Sequence, residues 1–175
     1  ERREIGLAFA PEERLGHADV GNLNLLENSL ITDPKKRFQK KMGFIDFSEL
    51  NEYTNEIIEK FNVKTTGVSA LASSLSGGNL QKFVVGREIG QKPSLFIVNQ
   101  PTWGVDALSA ANIRQAIVDI ANTGAAIILI SQDLDEILEI SNKVAFLTNG
   151  NLSIPTNTMD IKTDEIGAIM GGISD

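Results

Sequence analysis

Pro93-Ser94-Leu95-Phe96-Ile97-Val98-Asn99-Gln100-Pro101-Thr102-Trp103-Gly104-Val105-Asp106 runs from a proline through an apolar stretch into polar side chains and a glycine turn. A short run rich in branched and aromatic residues, opened by Lys92-Pro93, predicts a buried strand over Ser94 to Val98. Further runs of the same kind, Ala126 to Ile130 and Val144 to Leu147, lie downstream, and Ile5 to Phe9 lies near the start. Between the last three of these four runs, Ala107 to Ala121 sets Ile113, Ile117 and Ile120 on one helical face, and Asp133 to Ile140 does so with Leu134, Ile137 and Leu138. Strand, helix, strand, helix, strand predicts an α/β fold with a parallel sheet and crossover helices. Asn99-Gln100 and Ser131-Gln132-Asp133 then fall at strand C-termini, the rim where such sheets hold ligands.

Residues 22 to 91 have helical periodicity and no convincing strand: Leu23 to Leu30, Glu49 to Phe61 and Gly78 to Ile89 are the candidate helices. After Gly150 a tail runs through Pro155 to a weak helix over Thr163 to Met170, stopped by Gly171-Gly172. Within the helical insert stands Leu75-Ser76-Gly77-Gly78-Asn79-Leu80-Gln81-Lys82. Two glycines at a helix start, behind a capping serine, suit a phosphate: the first N–H groups are free, the helix end is partly positive, and the hydroxyl adds a donor. The same turn also reads as an ordinary Ser-Gly-Gly cap.

With 175 residues, 42% hydrophobic content and a formal charge of −7, one globular domain with its own core is expected and a nucleic-acid partner is not. Lys35-Lys36-Arg37 with Lys40-Lys41 forms the basic cluster and reads as a solvated helix face. No cysteine is present, so thiolate metal sites, disulfides and thiol catalysis are excluded; His17 has no second histidine with which to form a metal site or triad. No apolar run reaches the roughly 20 residues that span a bilayer. The charged start Glu1-Arg2-Arg3-Glu4, leading straight into a strand, reads as a piece of something longer.

Taken together, these motifs resemble the C-terminal portion of an ATP-binding domain of an ABC transporter. Leu75 to Asn79 resembles the signature motif, Phe96 to Thr102 the Walker B strand with its Pro-Thr, Gly104-Val105-Asp106 the D-loop, and Ser131-Gln132-Asp133 the switch-histidine region. Ala10-Pro11-Glu12-Glu13-Arg14 stands at the Q-loop, with Glu12 where glutamine is common. Asn79, the Pro-Glu-Glu-Arg start and Asn-Gln-Pro-Thr-Trp-Gly-Val-Asp resemble the second ATP-binding domain of simple-sugar and nucleoside importers, the nucleoside branch being nearer; Leu80 departs from the usual glutamine.

The resemblance implies a partial P-loop NTPase domain spanning 1–175. Its helical, signature-bearing subdomain is expected over about 14–91, and its α/β core and tail over 1–13 and 92–175. No Gly-x-x-x-x-Gly-Lys-Ser/Thr occurs in these residues, and the family places that Walker A part upstream of Ile5. Asn99 and Gln100 stand where the family has a magnesium-holding aspartate and a water-polarising glutamate, and Gln132 replaces its histidine. An amide pair can also cap a strand end for structural reasons. The coincidence of three such positions implies a degenerate site that binds no metal and, in isolation, does not hydrolyse ATP.

By the same resemblance, Ser76, Gly77, Gly78, Asn79, Glu12 and Asp106 contact or border nucleotide, and ATP and Mg2+ are the cofactors of the complete transporter, mainly at a partner's site. Expected partners are the first ATP-binding domain, the membrane permease and, indirectly, an extracytoplasmic solute-binding protein. The implied location is peripheral, on the cytoplasmic face of a bacterial inner membrane. Phe44, Ile45 and Phe47 belong either to a permease-docking groove or to the subdomain core, and core is the expectation. Two other readings stay open: a non-catalytic dimerising module, and a piece of a chromosome-maintenance ATPase. The latter flanks its cassette with long heptad coiled coils, and the insert shows no sustained heptads.

Overall fold

The structure, a computed structural model, describes residues 2–33, 37–40 and 43–161. The expected helix over Thr163 to Met170, along with Lys35, Lys36 and Lys41, lies outside the described residues. The chain divides into two compact units, Glu1–Ile130 and Ser131–Asp175.

In the first unit, β1 (Leu7–Ala10), β2 (Leu95–Asn99) and β3 (Ala126–Ile130) form a parallel sheet in the order β1-β2-β3. The register pairs Phe9 with Ile97 and Ile97 with Ile128, so side chains alternate coherently between two faces. One face carries Ala8, Ala10, Phe96 and Val98, all buried. The helix α3 (Gly77–Gly90) packs against β1 and β2, and α4 (Ala107–Asn122) against β3. The other face carries Phe9, Ile128 and Ile130, which are 42%, 49% and 48% exposed. The expectation that all these strands are buried is therefore corrected: among the described residues this second face is left partly open, so apolar residues on both sides of β3 do not imply burial on both sides.

Between β1 and β2 the chain is helical, as its periodicity predicts. It forms α1 (Leu25–Ile31), α2 (Phe47–Lys60), a 3-10 turn at Ala72–Ser74, and α3. Each helix starts on a side-chain cap that satisfies an otherwise orphaned N–H. Asn24 and Glu27 form a reciprocal capping box on α1, Asp46 caps α2, Ser76 caps α3 and Asp106 caps α4. Helix α3 is the hub, buried continuously from Leu80 to Ile89. A Cβ on Gly86 would lie 2.5 Å from the Phe61 ring, so the close approach of α2 and α3 requires glycine there. At its end α3 carries Arg87, 1% exposed, whose guanidinium bonds Ala18 O at 2.6 Å and the fully buried Glu88 at 3.0 Å; Arg3 reaches the same carboxylate at 2.7 Å.

Two local expectations are corrected in this unit. Phe44 and Phe47 are 67% and 60% exposed and do not belong to the subdomain core; α2 buries Leu50, Tyr53 and Ile57 instead. Arg37, expected on a solvated helix face, lies in a turn and stacks over the Phe38 and Tyr53 rings at 4.4 and 3.9 Å. His17 is exposed and pairs with Glu13 across one turn at 3.0 Å.

The second unit begins with α5 (Leu134–Ile140), capped by Asp133. The run Val144 to Leu147, expected as a further parallel strand, instead contributes to two antiparallel pairs. These join β4 (Lys143–Val144) with β7 (Thr156–Asn157), and β5 (Leu147–Thr148) with β6 (Asn151–Leu152). Asn149 and Gly150 both take positive φ, 50° and 79°, the conformation of a tight hairpin turn, which reverses the chain where a parallel strand would have to continue.

Candidate functional site

Ser76 is the N-cap of α3, with extended backbone, and its Oγ accepts the Asn79 N–H at 3.4 Å. Gly77 and Gly78 follow as the first helical residues, and among the described residues neither N–H meets an acceptor. Ser76 and Gly77 are exposed. The result is two N–H groups without an acceptor and an exposed hydroxyl at the positive end of a 14-residue helix, an arrangement whose chemistry suits an anion.

The turn is braced from behind. A Cβ on Gly78 would lie 2.6 Å from the carbonyl oxygen of Gly104, so the turn and the Trp103-Gly104-Val105 loop touch backbone to backbone. Arg14 ties them together: its Nε donates to Gln81 Oε1 at 2.7 Å, Nη1 to Gly77 O at 3.1 Å, and Nη2 to Trp103 O. Burial lowers the pKa of this guanidinium and nearby Glu12 raises it. Gln81 passes the connection on, its Nε2 donating to Gln100 O at 3.2 Å and Pro101 O at 2.9 Å.

Asn99 and Gln100 stand at the end of β2, as the sequence predicts. Gln100 is 7% exposed and has φ of 52°; its N–H bonds Ile130 O at 2.8 Å. Neutral amides here supply neither the anionic oxygens that a magnesium ion takes nor a base at neutral pH. No group of three or more acidic, histidine or cysteine side chains suited to a metal occurs among the described residues. Asp106 spends both carboxylate oxygens on Ser109, on its N–H at 3.0 Å and its hydroxyl at 2.7 Å, and these bonds depress its pKa. Its geometry is that of a helix cap.

The structure thus brings the Ser76 turn, Asn79, the Gln100 backbone and the Gly104 loop into one network, with exposed Glu12 acting on Arg14. Gln132 lies in the second unit, exposed, one residue before the α5 cap. Sequence reasoning missed Arg14 and Gln81 as organisers. Their partners lie 19 to 89 residues away in the chain, and no local spacing signals them.

The chain is 35% identical over 97% of its length to a glucose import ATP-binding protein, TsgD13, of Haloferax volcanii. It is 34% identical, again over 97%, to the nucleoside import ATP-binding protein NupA of Lactococcus lactis. This chain belongs to the ABC ATP-binding cassette family. It spans 31% and 33% of the length of those two relatives. Its fold superimposes on the ATP-binding cassette MJ0796, solved as a dimer in a post-hydrolysis state with ADP and phosphate; the TM-score is 0.75 at 18% identity, over 89% of this chain and 64% of that one. No family model matches. Among the described residues of this cassette chain, no helix is long and apolar enough to cross a membrane.

Proposed function

We propose that this cassette chain is part of the second ATP-binding domain of an importer for simple sugars or nucleosides. In that reading its signature turn completes an ATP site whose phosphates are held by a partner domain, while its own strand end is catalytically silent. The observation that carries it is the contrast between the two halves. The Ser76-Gly77-Gly78 turn keeps its free N–H groups and hydroxyl, whereas Asn99 and Gln100 hold only amides.

The turn fits a phosphate of ATP. The amide donor set does not fit magnesium, so the metal belongs with the partner's site. Asp106 then shapes the interface loop as the α4 cap, and Gln132 leaves its position without a cationic form. The exposed Phe44 and Phe47 suit docking of a membrane permease, which would place the protein peripherally on the cytoplasmic face. The relatives, a glucose and a nucleoside import protein, support the substrate class. A solute-binding protein completes the assembly.

The test is titration of the chain with fluorescent ATP, alone and with the first ATP-binding domain. The reading predicts tight, hydrolysis-competent binding only with the partner present. Appreciable hydrolysis by the chain alone would contradict it.

A further inference from the structure

Asn79 uses its side chain twice, and the two bonds leave no choice of orientation. One terminal atom lies 2.9 Å from the Lys64 backbone N–H, a group that can only donate, so that atom is the carbonyl oxygen. The other is therefore the NH2 group, which faces Ser76 Oγ at 2.9 Å and must donate to it. Asn79's own N–H approaches the same oxygen at 3.4 Å.

A serine hydroxyl has two acceptor lone pairs and one hydrogen. Both lone pairs of Ser76 are engaged by Asn79, and among the described residues no acceptor takes its hydrogen. Ser76 is exposed beside the two free glycine N–H groups, so that hydrogen is left for solvent or a ligand. We infer that Asn79 is a positioning residue that locks the Ser76 hydroxyl as an outward donor, making the turn donor-only and selective for a fully ionised phosphate oxygen.

This rests on the proposed nucleotide role of the turn and adds how the turn is polarised. In the role read from sequence, Asn79 touches nucleotide; here it acts through Ser76, held in place by the residue-64 backbone. Donors fixed before the ligand arrives need no reorganisation when charge appears, which is why such preorganisation is effective.

Aspartate at position 79 is the discriminating replacement. It keeps an oxygen for the Lys64 N–H and nearly the same shape, but offers Ser76 an acceptor, which turns the hydroxyl hydrogen inward. The experiment measures ATP turnover against ATP concentration in the intact transporter for wild type, Ser76→Ala, Asn79→Asp and the double variant, with thermal midpoints as a folding control. Asn79→Asp should raise the ATP concentration for half-maximal turnover about tenfold or more when Ser76 is present. It should do much less in the Ser76→Ala background, where only direct charge repulsion remains. Equal losses in both backgrounds, or none in either, would overturn the inference while leaving the nucleotide role intact if Ser76→Ala alone is impaired. If Ser76→Ala is unimpaired, both the role and the inference fail. Asn79→Ala, measured in parallel, should fall between wild type and Asn79→Asp, because it frees the hydroxyl without turning it inward; a loss as large as that of Asn79→Asp would also overturn the inference.

Discussion

Arg14 Nε donates to Gln81 Oε1 at 2.7 Å, across 67 residues of chain. Through that pair, the segment after β1 reaches helix α3 and, by the other end of the Gln81 amide, the backbone at Gln100 and Pro101. The glycine turn is thereby held to the strand end that carries the altered positions.

Replacing Arg14 with alanine should cost about 1–3 kcal/mol, the range for bonds from a charged donor that is partly buried. Lysine should recover little, because one ammonium cannot reach three acceptors on different segments. Urea denaturation gives the cost. Hydrogen exchange should be faster at Leu80, whose N–H bonds Ser76 O, and in residues 103–105 for both variants.

Gly78→Ala and Gly77→Ala should differ. The added methyl at 78 meets a backbone carbonyl at 2.6 Å, whereas at 77 it meets a side-chain atom, Arg14 Nη1, at 3.1 Å. About 1–3 kcal/mol is expected at 78 from overpacking, and clearly less at 77. Denaturant midpoints measured side by side decide this, and equal costs would contradict the backbone contact.

The buried ion cluster sets a third expectation. Arg87→Ala removes the guanidinium beside fully buried Glu88 and strips the Ala18 carbonyl of its partner, a loss of about 3–5 kcal/mol. Arg3→Ala should cost less, since Arg3 is partly exposed and Glu88 keeps Arg87. Chemical denaturation of both variants checks the order.

Asp106 gives a pH dependence. Its bonds to Ser109 hold its pKa below the ordinary 3.8, so the stability it adds is present above that value and is lost as pH falls through the depressed folded pKa. The advantage of wild type over Asp106→Ala in thermal midpoint should be full at neutral pH and shrink in acid. An advantage that grows in acid would contradict the cap.

Much of the fold was legible because its signals are local. Apolar runs placed β1, β2 and β3, the 3.6-residue period placed the helices, and the capping Ser76 marked the start of α3. What escaped depends on the rest of the molecule. Apolar residues at 44, 47, 128 and 130 say nothing about whether another layer covers them. The two-residue strands of the second unit are too short to show alternation, although Asn149-Gly150 is the kind of pair that favours a hairpin. At the site, the glycine turn and the amide pair could be read from residue type, but the ties made by Arg14, Gln81 and the Lys64 N–H arise only once distant segments meet.

The central claim is asymmetry: this chain's turn serves a partner's nucleotide while its own strand end is silent. The most direct measurement is steady-state ATP turnover of the assembled transporter carrying either Gln100→Ala or the pair Ser76→Ala with Gly77→Ala, each verified as folded. The account predicts that turnover survives the first and falls about 10²-fold or more with the second. Equal loss in both would contradict it.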